Sequence, residues 1–130
     1  MDATQALSEL TALSAQITAA IVLDEEGAPA ASTLGDEPTR ELADGVKELV
    51  AAATRATGRD GGLAQLEVAT PTGSVFVVRD GKRTIAATTR AEPAAGLVFY
   101  DLKTTLRAID DQPKPRPKPR ERKQASDAAA

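Results

Sequence analysis

Three acidic residues in a row, Asp24-Glu25-Glu26, followed by Gly27, are the first group in this 130-residue chain able to hold a divalent cation. A calcium or magnesium loop needs further oxygen ligands at set intervals, and none follow. The simpler reading is a solvated turn, with Gly27 supplying the positive φ that such turns need. A second acidic pair, Asp110-Asp111, has the chemistry for general acid–base work. It falls where a helix should end, so its charges should stay in water. Gly61-Gly62 precedes a strand and lacks the Lys-Ser or Lys-Thr that completes a phosphate-binding loop. No serine stands in a Gly-x-Ser-x-Gly elbow. Lys82 and Arg83 follow Asp80-Gly81, which places them at an exposed hairpin tip. The chain has no histidine and no cysteine, which excludes zinc sites of the usual ligand types, thiol nucleophiles, disulfides and imidazole-based triads. No residue set supports a catalytic, metal or cofactor assignment, and the chain is expected not to be an enzyme.

The remaining chemistry is electrostatic. Sixteen basic and 19 acidic residues leave a net charge of −3. From Pro113 onward six bases (Lys114, Arg116, Lys118, Arg120, Arg122, Lys123) face two acids, a local charge of +4. The first 112 residues, with ten bases and seventeen acids, carry −7. Such asymmetry often marks an interaction segment. Prolines at 113, 115, 117 and 119 alternate with basic residues and favour extended polyproline II geometry. No proline pair falls at i and i+3, so the usual proline-groove pattern is absent. Basic residues at every second position spread charge around the rod, which suits nonspecific anion contact better than base reading. A solvated, solubilising tail and a contact with an acidic partner, anionic lipid or nucleic-acid phosphate both remain open. Only three aromatic residues, Phe76, Phe99 and Tyr100, are available. That is too few for a stacking platform on single strands, so specific nucleic-acid binding is not expected.

The elements that must position these groups follow from periodicity. Leu7, Leu10, Leu13 (or Ser14) and Ile17 share a face and predict a helix over about 4–19. Strands are predicted near 20–24 and 28–33, joined by the Asp24–Gly27 turn. A helix over about 38–57 opens with Pro38 after Asp36-Glu37, and Gly58 should cap its end. Leu42, Val46, Leu49 and Ala53 form its apolar stripe, with Val50 beside it. Gly45, Ala52 and Ala56 form a second, small-residue stripe. Alanine there is either a neutral helix former or a surface for close approach of a second helix. Three strands follow, at about 63–69, 74–79 and 83–89, with turns at Pro71-Thr72-Gly73 and Asp80-Gly81. Val75-Phe76-Val77-Val78 is apolar on both faces and should lie inside a sheet. The 63–69 strand alternates, with Ala64, Leu66 and Val68 opposite Gln65 and Glu67, and suits a sheet edge. A last helix over about 94–109 should turn Val98, Leu102, Thr105, Leu106 and Ile109 inward.

The chain thus divides into one α+β domain over residues 1–111 and a Pro/Lys/Arg-rich tail over 112–130 that is expected to be disordered. The start of the chain lacks a basic segment leading into an apolar run, and no apolar run approaches the ~20 residues needed to span a bilayer. A cytoplasmic location is expected.

Over residues 5–109 the pattern resembles the roadblock/dynein light-chain family, which includes bacterial regulators of Ras-like GTPases. The resemblance is carried by Ile21-Val22-Leu23-Asp24-Glu25-Glu26-Gly27-Ala28-Pro29-Ala30-Ala31-Ser32, by Leu42-Ala43 through Ala53, by Val75-Phe76-Val77-Val78-Arg79-Asp80-Gly81, and by Gly96-Leu97-Val98. It implies a five-stranded antiparallel sheet in the order α-β-β-α-β-β-β-α, with the second helix on one face and the first and last on the other. It also implies a homodimer formed by pairing sheet edges and packing second helices. That would place Gly45, Val46, Leu49, Ala52, Ala53, Ala56, Ala64, Leu66 and Val68 at the interface. The implied role is a non-enzymatic platform for a small Ras-like GTPase; Arg40 or Arg55 could in principle serve as an inserted arginine, but both read first as helix-surface residues. A small-ligand sensor of related shape would instead need a cavity between sheet and helix. An adaptor working through the tail would bind in a salt-sensitive way and lose binding without residues 113–123.

Overall fold

The computed structural model describes residues 1–58 and 63–110. The element order is α1 (Ala3–Leu13), β1 (Ile17–Leu23), β2 (Pro29–Ser32), α2 (Asp36–Thr57), β3 (Leu63–Thr70), β4 (Gly73–Asp80), β5 (Arg83–Arg90) and α3 (Ala95–Asp110). The five strands form one antiparallel sheet in the spatial order β2-β1-β5-β4-β3. This is the α+β architecture expected from the sequence. Gly61-Gly62, Asp111 and the tail, with all six of its basic residues, lie outside the described residues.

The first helix is shorter than its periodicity suggested. Asp2 caps it by accepting from the Gln5 amide at 2.8 Å. It stops at Leu13, where Ser14 donates its amide to the Leu10 carbonyl and turns extended. Leu7 and Leu10 are buried, but Leu13 is 86% exposed, and Ile17 belongs to β1. Helices cover β1 on both faces, so it is buried at every residue except Thr18 and shows no alternation to mark it as a strand. The β1–β2 turn forms as expected. The Asp24 carboxylate accepts from the amides of Glu26 and Ala28, each at 2.9 Å, and Gly27 takes φ +86°. At the far hairpin Asp80 pairs with Arg83, so the two turn residues are Gly81 and Lys82, one step later than predicted. Lys82 is exposed, whereas Arg83 is only partly so.

Two apolar layers sandwich the sheet. The larger lies under α1 and α3 and includes Leu7, Leu10, Val22, Phe76, Ile85, Val98, Leu102 and Leu106. Phe76 meets Phe99 edge to face, with ring centroids 5.0 Å apart. The smaller layer lies under α2 and joins Ile21, Leu23, Ala43, Val46, Val77 and Ala86. The buried face of α2 is centred on Thr39, Ala43 and Val46, while Leu42, Leu49, Val50 and Ala53 are only half-buried. Its N-terminal end is tied to β2 by a 2.6 Å hydrogen bond between the hydroxyls of Ser32 and Thr39. Its C-terminal end is closed by Gly58 at φ +70°, as the sequence predicted.

One close approach gives a stability prediction. A Cβ on Gly73 would collide with the backbone carbonyl oxygen of Thr89 on the neighbouring strand. Backbone cannot step aside as a side chain can. Gly73→Ala should therefore cost about 1–3 kcal/mol, as overpacking does elsewhere. Equilibrium urea unfolding checks this, and an unchanged midpoint would count against it.

Candidate functional site

Among the described residues, no three His, Cys, Asp or Glu side chains converge to hold a metal ion. No described helix is long and apolar enough to cross a membrane. Asp24 spends its carboxylate on the turn that contains it. The features left to explain are two parts of the surface, both on the α2 side of the sheet.

The first combines the β3 edge with the outer side of α2. β3 pairs with β4 through eight consecutive residues without a bulge, and its other side faces no strand among the described residues. The opposite edge, β2, is only four residues long, begins with proline, and adjoins a register shift. Short, proline-bearing and irregular edges resist strand addition, whereas a long regular one invites it. Cross-strand pairing of Ala64, Leu66 and Val68 with Arg79, Val77 and Val75 puts all three on the α2 side. Val68 is 39% exposed, and Leu66 and Val75 are only partly covered.

Gly45, Ala52 and Ala56 are exposed on this same side, within an arc of about 40° on α2. Leu49 and Ala53 flank them half-buried. Of the nine residues proposed for an interface, Gly45, Ala52, Ala56 and Val68 are exposed, while Leu49, Ala53, Ala64 and Leu66 are partly so. Val46 is the exception: it is 1% exposed and belongs to the core beneath α2. Leu42 and Val75, which the sequence reading did not assign to this face, add to its apolar area.

The second feature is a cleft of about 450 Å³ that the sequence reading did not locate. Its walls are the β1–β2 turn, the flank of α2 from Val46 to Arg55, and the β4–β5 hairpin from Arg79 to Thr84. Leu23 and Val46, each 1% exposed, form its floor with half-buried Val50. Lys47, Arg55, Arg79 and Lys82 stand around it. Lys47 lies across the acidic turn, where a Cβ on Gly27 would come within 2.7 Å of its Cδ. Arg40, by contrast, borders a shallow groove beside β2. Fifteen residues of helix separate it from Arg55, a span of roughly 22 Å, so the two arginines serve different places.

The family profile of the Roadblock/LC7 domain matches residues 3–89. No curated protein matches significantly. Among solved structures, one Roadblock/LC7 domain from Streptomyces avermitilis is 21% identical, with a TM-score of 0.65 over 81% of this chain and 95% of its own. Another structure of such a domain from the same organism is 19% identical, with a TM-score of 0.69 over 85% of this chain and 96% of its own. Myxococcus xanthus MglB is 16% identical, with a TM-score of 0.57 over 83% and 89%. At these identities the likeness is one of fold.

Proposed function

The chain belongs to the Roadblock/LC7 domain family, and on that premise we propose that it is a non-catalytic, homodimeric platform for a small Ras-like GTPase. The observation that supports the dimer is the eight-residue β3 edge, open beside the exposed small-residue stripe of α2. A two-fold axis beside β3 would continue the sheet into a second copy and set the two α2 stripes against each other. Such an interface is self-complementary, so one edge and one stripe suffice for both partners. The half-buried Leu42, Leu49, Leu66 and Val75 would lose their remaining water there.

The GTPase partner follows from the family rather than from any pocket. A platform of this kind acts by contacting one conformation of the switch loops better than the other, which shifts their population. Faster hydrolysis would then come from positioning the partner's own groups. The tail remains a candidate contact for an anionic surface, separate from this role.

Two measurements test the reading. Light scattering on the full chain at micromolar concentration should give twice the 13.5 kDa mass of one chain. Affinity capture from the native cell should retain a small GTPase, with different yields when extracts are loaded with GTP or GDP. A monomeric mass removes the dimer, and equal or absent capture in both nucleotide states removes the GTPase role.

A further inference from the structure

We infer that the cleft between α2 and its two neighbouring turns binds a phosphate ester carried on an apolar body of about mononucleotide size. The charge distribution is the first reason. The first 112 residues carry −7, yet four of their ten basic side chains border this one cleft. Among the described residues, the side chains of Arg55, Arg79 and Lys82 make no ion pair or hydrogen bond. Lys47 has a single partner, Asp44, at 3.7 Å in a pair at least half exposed on both sides. Such pairs contribute little to folding. These cations therefore do no visible structural work, and against the three carboxylates of the neighbouring turn they leave the lining with a net charge of +1 in a body of −7.

The shape is the second reason. A volume of about 450 Å³ lies within the range of small-molecule sites, roughly 300–1,000 Å³. The floor is apolar, with half-buried Val50 over the core residues Leu23 and Val46, and a ring or short chain could lie against it, while Thr54 and Thr84 also line the cleft. The cations come from two walls, α2 and the β4–β5 hairpin. A multivalent anion can meet both walls at once, and guanidinium groups can hold its oxygens two at a time. The third wall is acidic, with Asp24, Glu25 and Glu26. Asp24 faces its own turn amides, and the Lys47 stem lies against Gly27 of the same turn.

The cleft and the small-residue stripe occupy different sides of α2. By helical geometry Thr54 lies about 180° around the axis from Gly45. The site would stay open in a dimer built on that stripe, and it does not depend on the dimer forming.

The test is an amide chemical-shift titration of the full chain with adenosine diphosphate and, separately, inorganic pyrophosphate. Saturable shifts are expected at Gly27, Thr54, Gly81, Lys82 and Thr84. Adenosine diphosphate should bind at least tenfold tighter than pyrophosphate, which cannot cover the apolar floor. The double variant Arg79→Ala with Lys82→Ala should weaken binding tenfold or more, whereas Arg107→Ala, on α3, should not. The spectra of the variants also report whether each has folded. Shifts confined to residues 113–123, the absence of saturation at millimolar ligand, equal affinity for the two probes, or indifference to the double variant would each overturn the assignment.

Discussion

Phe76→Ala is expected to remove about 3–5 kcal/mol of stability, the usual cost of truncating a buried phenylalanine. Phe76 is 0% exposed and lies in β4, an interior strand, facing the larger layer beneath α1 and α3. Its ring meets Phe99 at 5.0 Å with planes inclined by 76°, the edge-to-face geometry that adds roughly 0.5–1.5 kcal/mol beyond burial. The truncation also leaves Phe99 without its partner ring. Small domains have only about 5–15 kcal/mol in total, so the loss is a large fraction. At about 4–8 °C per kcal/mol for a domain of about 100 residues, the thermal midpoint should fall by roughly 12–40 °C. Circular dichroism melting at fixed protein concentration measures it, since any association would make the midpoint concentration-dependent. A fall of only a few degrees would show that the core does not depend on this pair.

The same strand shows why parts of the fold were legible in the sequence. Val75-Phe76-Val77-Val78 is apolar without alternation, bounded by turn residues and too short for a helix, so only an interior strand fits. β3 alternates, and it is an edge. Among the described residues, three of the four positive-φ positions were marked by glycine, at 27, 58 and 81, and the fourth, Glu92, carried no such mark. The boundary between α1 and β1 failed for a physical reason. Leu7, Leu10, Leu13 and Ile17 satisfy helical spacing as well as any true stripe, and β1, covered on both sides, offers no period of its own.

The rotation of α2 was hidden differently. Leucine was expected to point inward, but Ala43 and Thr39 do. Ala43 leaves room for the helix to approach the sheet, and Thr39 satisfies its hydroxyl on Ser32. The leucines are displaced to the flank, where they help form the uncovered face. The cleft was illegible for a third reason. It is assembled from residues 23–27, 46–55 and 79–84, and in each segment alone the charges read as an ordinary solvated surface. Only the sheet order, which sets the β1–β2 turn near the β4–β5 hairpin, makes them one site.

Ala52→Arg combined with Val68→Lys is expected to raise the dimer dissociation constant by a hundredfold or more and to abolish GTPase capture with it. Both positions are exposed in the single chain, so folding itself should change by no more than about 0.5 kcal/mol. In a two-fold interface each substitution occurs twice. The guanidinium introduced on α2 would lie near the axis and face its own copy. The ammonium introduced on β3 would put a charge on the edge where the two sheets must join, a device that natural edge strands use against pairing. Gly45→Ala supplies the contrasting case. A Cβ there meets nothing within 4 Å among the described residues, so helix propensity alone should stabilise a monomer by up to ~1 kcal/mol. If two α2 helices approach closely at this glycine, the same methyl group should instead weaken the dimer. Sedimentation equilibrium on the unaltered chain and both variants separates the cases. Should the double variant keep the dimer mass while Gly45→Ala merely melts higher, the copies would have to meet through some other surface, and the stripe would be no more than alanine filling a helix.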